Sequence, residues 1–184
     1  MKNTKVTLAP LTKDDREQFI LDNQWAFKYG AMAEFGERDD HLDDSGEIIS
    51  RRTIENCIDD PQNEAYRIVL NGRYVGGVVL KIDNETCHNH LELLFIVPEE
   101  HGKGVGYGAW CEVEKLHPET KIWETCTPYF EKRNIHFYVN KCGFHITEFW
   151  CEHFEPTHEM QDADDERNPD EGPDEMFKFI KVMK

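Results

Sequence analysis

The chain is poor in basic residues. Its 184 residues carry 21 Lys and Arg against 37 Asp and Glu, a formal net charge of −16. That deficit excludes a nucleic-acid binder that works by neutralising phosphates, and it argues against docking on an anionic membrane surface. Long apolar runs are also missing. The longest clean one, residues 93–97, falls far short of a membrane span. The opening MKNTKVTLAP has no apolar run and does not read as a signal peptide, so a cytoplasmic location is expected. The six cysteines, Cys57, Cys87, Cys111, Cys126, Cys142 and Cys151, form no CxxC pair. They read as reduced thiols, mostly small core residues, and not as a structural zinc site. No repeat appears at a period of about 20–50 residues.

What is present is 39% apolar and 11% aromatic residues, enough for the core of one ordinary domain spanning 1–184. The charge is uneven. Residues 34–47 hold seven acids and one Arg, net −6, and residues 155–175 hold ten acids and one Arg, net −9. The other 149 residues are close to neutral, at −1.

The apolar pattern predicts a strand at 6–8 and then a helix to about Gly30, opened by Thr12-Lys-Asp-Asp15 as a capping box. A second helix is expected over 46–59. A hairpin follows, 66–70 and 74–82, joined by Asn71-Gly72. Strands are expected at 88–97, 121–126, 144–154 and 176–182. Helices are expected from the glycines to about residue 116 and over 130–141, with Gly143 as a C-terminal cap. The order β-α-α-β-β-β-α-β-α-β-β implies an α/β (α+β) fold with a mixed, mainly antiparallel sheet of about seven strands flanked by helices. The second acidic segment becomes a long loop between neighbouring strands, and edge strands near the C-terminus make a homodimer an expectation.

The informative stretch is Ile96-Val-Pro-Glu-Glu-His-Gly-Lys-Gly-Val-Gly-Tyr-Gly-Ala-Trp110. A buried strand leads through five residues into glycines that open a helix. Gly102, Gly104 and Gly106 let backbone amides approach a ligand, and a helix start offers unpaired N–H groups suited to phosphate. A Walker loop is excluded, because GxxxxGK[ST] is absent. A dinucleotide fingerprint is nearly met by Gly104-Val-Gly106-Tyr-Gly-Ala109, with Glu124 twenty residues past Gly104. That fold, however, runs the strand straight into the first glycine and needs helix–strand repeats that this chain lacks.

The segment resembles the acetyl-CoA-binding motif of the GNAT superfamily of N-acetyltransferases, V-x-P-x-x-[RQ]-G-x-G-x-[GA]. Ile96-Val-Pro98 and His101-Gly-Lys-Gly-Val-Gly106 match it, with Ile96 for Val and His101 for the usual Arg or Gln. His136-Phe-Tyr-Val-Asn-Lys-Cys-Gly-Phe144 is similar to the family's fY-x-k-x-GF ending of the next helix. The element order agrees over nearly the whole chain.

The resemblance implies acetyl-CoA as co-substrate. Its pantetheine arm would lie along Ile96 and Val97. Its pyrophosphate would sit on the amides of residues 102–107, a set that includes Val105 and Tyr107. Lys103 either adds charge to the phosphates or is a solvated loop lysine. Amine acetylation needs a neutral amine, a stabilised carbonyl oxygen and a proton for the departing thiolate. The resemblance implies Tyr138 as that proton donor, against a packed aromatic. Tyr138 lies five residues before Gly143, where the family spacing is four, so a local bulge is needed. The family's common Asn on that helix, seven residues before the Tyr, is Glu131 here.

For the base, Glu92 stands out as an acid inside an apolar strand, on one face with His88 and His90. Its alternative is a polar residue on a solvated strand edge. Glu124 is a second candidate for base or amine anchor. His88-x-His90-x-Glu92 also offers three metal-ligand types, but same-face strand residues stand far apart for one ion, so no metal is expected. In the family the loop between the first two helices and the loop between the last two strands wall the acceptor side. The resemblance therefore implies a primary-amine acceptor, and the acidic loops suggest a cationic small molecule. A protein N-terminus or lysine as acceptor, and a silent acyl-CoA-binding module, stand as alternatives.

Overall fold

A computed structural model describes residues 5–35, 45–154 and 175–184. The chain runs β1 (Val6–Pro10), α1 (Arg16–Phe35), α2 (Arg51–Asp59), β2 (Asn63–Leu70), β3 (Arg73–Lys81), β4 (His88–Ile96), α3 (Val105–Leu116), β5 (Ile122–Pro128), α4 (Lys132–His136), a π-helix (Phe137–Cys142), β6 (His145–Trp150) and β7 (Met176–Val182). The element order is the expected one. The seven strands form one sheet in the order β1-β2-β3-β4-β5-β7-β6. Every neighbouring pair is antiparallel except β4 with β5.

Local chemistry accounts for the elements. Asn71 and Gly72 both take left-handed backbone angles, φ 53 and 78. Those are the angles a two-residue hairpin turn requires between twisted strands. Ser50 caps α2, its hydroxyl accepting from the Thr53 N–H at 3.0 Å. Helix α2 begins there, later than the pattern predicted. The expected capping box at Thr12 does not form. Thr12 makes no side-chain cap bond, and a 3₁₀ turn at Lys13–Asp15 precedes α1. The Asp15 carboxylate is taken instead by Arg67 from β2.

Arg67 is 1% exposed, ion-paired to Asp15 and to Asp22 (2.8 Å), and lies over the rings of Phe19 and Tyr74. It pins the first helix to the sheet. Two apolar layers complete the core. Phe19, Ile20 and Ile54 from α1 and α2 pack on Val79, Leu93 and Phe95. On the opposite face Trp110, Tyr138 and Phe144 pack on Val78, Leu91, Trp123 and Phe179. All six thiols are free, but only Cys142 is buried; the other five are half-buried, which corrects the core assignment. The strand neighbours β6 and β7 pair as expected. Residues 36–44 and 155–174, which hold most of both acidic segments, lie outside the described residues. Among the described residues no helix is long and apolar enough to cross a membrane.

Removing a buried guanidinium strands two carboxylates. Arg67→Ala should lower the unfolding free energy by about 3 kcal/mol. Arg67→Met, which keeps the volume, should cost less. Urea titration of the two variants measures the difference.

Candidate active site

The parallel strands β4 and β5 pair over only three positions, His88↔Ile122, Asn89↔Trp123 and His90↔Glu124. This closed end is tied down. The Cys87 carbonyl accepts from the Lys121 and Ile122 N–H groups, and the buried Asn89 side chain donates to Thr120 at 2.7 Å. Beyond it the strands part. β4 continues along β3, and β5 continues along β7. The last tie across the gap is the Thr125 hydroxyl, which donates to the Leu91 carbonyl at 2.9 Å. From there toward Ile96, whose carbonyl meets His101, one edge of β4 faces an open wedge. A free strand edge is a row of main-chain donors and acceptors ready for an extended ligand.

Glu92 sits where the wedge opens. Leu80 pairs with Leu91 and Val79 with Leu93, so Glu92 is the extra residue of a β-bulge. A bulge puts two successive side chains out of alternation and re-aims one of them. Before it Leu91 joins the α3 face; after it Leu93 and Phe95 join the α1 face. Glu92 keeps an exposed surface, yet protein crowds its carboxyl. Loss of bulk water raises that carboxyl above the ordinary glutamate range; Lys81 opposes this, and Asp60 and Glu124 reinforce it.

Glu124 lies on β5, 7% exposed. Its carboxylate meets His88 Nε2 at 2.9 Å, His90 Nδ1 at 4.0 Å and Lys178 Nζ at 3.2 Å. Lys178 also reaches Glu148 at 3.3 Å. Burial works against the Lys178 charge, but Glu124 and Glu148 outweigh it and raise its pKa. Burial lowers the pKa of His90, opposed by Glu124.

Tyr138 belongs to the π-helix. There Gly143 takes φ 80, and the Gly143 and Phe144 N–H groups both reach back to the Tyr138 carbonyl. The wider turn absorbs the extra residue between Tyr138 and Gly143. The Tyr138 ring packs against Phe144 and Phe179 and is 7% exposed. Burial raises its phenol well above the ordinary tyrosine range, and a hydrogen bond with the Thr125 side chain pulls the other way. Through Thr125 the hydroxyl is joined to the start of the wedge, on the sheet face opposite Glu92. The two candidates therefore sit on the two sides of one opening.

The glycine turn closes the far end. Pro98–Glu100 form a 3₁₀ turn. Gly102 and Gly104 follow with φ 74 and 76, left-handed angles that glycine adopts without strain. The first helical bond of α3 runs from Gly108 N to Gly104 O at 3.0 Å. The N–H groups of Val105, Gly106 and Tyr107 thus lack helical partners, as at any helix start. Val105 is buried, and the Tyr107 ring points outward toward Cys111, so only its amide faces the turn.

Lys103 binds Glu100 at 2.9 Å, and Arg73 binds the same carboxylate at 3.1 Å. Two cations share one anion there, and with Glu99 in the same turn the group carries no net charge. His101 turns inward: its Nε2 lies 2.6 Å from the Ile96 carbonyl and 3.2 Å from Arg133, and its ring meets Tyr29 edge-on. Burial lowers its pKa, and the bond to the Ile96 carbonyl opposes that shift. The side chain that replaces the expected Arg or Gln therefore closes the loop back onto β4. Val97 N–H is used by Val75 of β3 at 2.9 Å.

Sequence reasoning missed the bulge, the His101–Ile96 contact and the pairing of both histidines with Glu124. A signal for the first was available. Leu-Glu-Leu-Leu-Phe breaks strict alternation directly after the acid.

An open parallel pair with a glycine turn at its mouth offers an extended ligand a strand edge and a helix N-terminus. The description "Acetyltransferase (GNAT) family" matches residues 21–144, and the chain belongs to that family of acetyltransferases. An uncharacterised protein of Bacillus subtilis (strain 168), YrkN, is 40% identical over 180 residues, 98% of this chain and 95% of that protein. Among solved structures, an acetyltransferase from Thermus thermophilus matches with TM-score 0.64 at 17% identity, covering 100% of both chains. The Escherichia coli ribosomal-protein-S18-alanine N-acetyltransferase matches with TM-score 0.64 at 11% identity, over 96% of this chain and 93% of that one. A Vibrio cholerae spermidine N-acetyltransferase in complex with CoA and spermine matches with TM-score 0.64 at 14% identity, over 97% and 95%. These structural likenesses are of fold.

A side chain at Gly104 has to adopt the left-handed region. Gly104→Val should cost roughly 1–2 kcal/mol and weaken coenzyme A binding at least tenfold. Thermal melting with and without coenzyme A reads both effects.

Proposed function

We propose that this acetyltransferase moves the acetyl group of acetyl-CoA to a primary amine, a cationic small molecule, by direct transfer in a ternary complex. The observation that carries the reading is the placement of Glu92. A carboxylate is set by a bulge at the point where the β4 edge becomes free for the pantetheine arm. The amides of residues 102–107 would receive the pyrophosphate, as at other helix N-termini.

The acceptor amine gives up its proton to Glu92, with Glu124, at the last paired position of the two strands, as the second carboxylate. The nitrogen then attacks the acetyl carbonyl carbon and loses its second proton to water, the C–S bond breaks, and Glu92 returns its proton to solvent before the next turnover. Tyr138, whose raised pKa keeps it protonated, donates to the departing sulfur and is reprotonated from solvent. The Cys126 thiol beside Glu92 and Glu124 is pushed up to about 12 by burial. Such a thiol is not a nucleophile at neutral pH, which favours direct transfer over an acetyl-cysteine intermediate. The cationic acceptor rests on the charge of residues 34–47 and 155–175, which carry all but −1 of the net charge. A field of that sign raises the local concentration of a cation and weakens with salt.

The test is thiol release from acetyl-CoA with a panel of amines at low salt. Glu92→Gln and Tyr138→Phe should each lower kcat by about 100-fold or more while KM for acetyl-CoA stays within a factor of about two. Unchanged kcat in both variants would remove them from the chemistry, and coenzyme A binding without turnover for any amine would leave a silent binder. Separately, neutralising the acids of 155–175 should lower kcat/KM for spermidine and flatten its dependence on salt. Equal values and equal salt dependence would reject a cationic acceptor.

A further inference from the structure

The closed end of the wedge holds a cluster that shares Glu124 with the catalytic proposal and adds two histidines that acetyl transfer does not use. His88 and His90 are two residues apart on β4, and their rings stack with centroids 5.2 Å apart and planes 14° from parallel. Glu124 stands opposite His90 in register on the neighbouring strand. One ring nitrogen from each histidine and a Glu124 oxygen all lie within 4.8 Å of one another.

We propose that His88, His90 and Glu124 form a binding site for a divalent transition-metal ion, with zinc the best fit. Two imidazoles and one carboxylate are a common zinc ligand set, and they leave a fourth position for water or an incoming ligand. Zinc bonds of about 2.0–2.2 Å put tetrahedral ligand atoms roughly 3.3–3.6 Å apart. Here His88 Nε2 lies 2.9 Å from Glu124 Oε2 and His90 Nδ1 lies 4.0 Å from the other carboxylate oxygen, Oε1. Small side-chain rotations bring both into range. His88 would ligate through Nε2 and His90 through Nδ1, each keeping its proton on the other ring nitrogen. Both rings are half-buried and Glu124 is buried, so the ion has a fixed floor and an open side. Imidazole donors select zinc, copper or nickel over magnesium or calcium.

Reading along β4 alone puts Glu92 in the third place and discourages a metal. The third ligand instead comes from across the strand pair, and the bulge carries Glu92 beyond the cluster. Lys178 is the competing cation, 3.2 Å from Glu124 Oε1. It has a second partner in Glu148, itself held by Trp150 Nε1 at 2.8 Å. The ammonium can therefore yield the carboxylate without losing its charge compensation.

The test uses the full-length chain, stripped of metal, titrated with cobalt(II) and with zinc against a chromophoric chelator. One cobalt per chain should bind, with visible d–d absorption and no thiolate charge-transfer band. His88→Ala with His90→Ala should weaken zinc binding on the order of 100-fold, and Glu124→Gln on the order of tenfold. Lys178→Met should tighten it several-fold. In the wild-type chain zinc should shift the imidazole NMR signals of two histidines, an observation that does not depend on how the variants fold. A thiolate band, zinc affinity unchanged in the double variant, or unmoved histidine signals would each overturn the site. None of these readouts depends on acetyl transfer, so their failure leaves the catalytic proposal as it stands.

Discussion

The structure depends on a strand pair that is closed at one end and open at the other. Parallel strands normally continue their ladder for as long as both run. Here the ladder between β4 and β5 stops after three positions, and each strand turns to its other neighbour. The open edge is tolerated only because the closed end is held so firmly. The Cys87 carbonyl takes two N–H groups, and Asn89 divides its buried amide between Thr120 and the Asp83 N–H. An exposed edge inside a sheet would otherwise be a place for misfolding or aggregation. Glu92, Glu124, Thr125 and both histidines lie within a few residues of the point where the pair divides.

The bulge at Glu92 and the π-helix at Phe137–Cys142 are two uses of one device. Each inserts a single residue into a regular element and so turns one side chain away from its default direction. In β4 the insertion places an exposed carboxylate between two buried leucines. In the helix it keeps the Tyr138 ring in the aromatic layer with its hydroxyl at Thr125. Neither irregularity is a propensity effect. Both are held by tertiary packing on either side.

This explains what was legible in the sequence. The order of elements, the Asn71-Gly72 hairpin and the glycine turn are local, and local chemistry decides them. The five-residue spacing from Tyr138 to Gly143 signalled an irregular helix. Partners distant along the chain were not legible. Asp15 reads as a cap until Arg67 claims its carboxylate from β2. His101 reads as a lost donor until it reaches back to Ile96, and the two histidines read as an along-strand set until Glu124 arrives from β5. In each case the deciding contact lies outside the local pattern, and a single sequence carries no record of it.

The π-helix bears on how kinship is traced. The extra residue lies between the tyrosine and the glycine that ends the helix, and the turn widens around it without disturbing what lies on either side. The distance between those two landmarks is therefore not fixed by the architecture. A chain can gain or lose one residue there and keep both anchors in place.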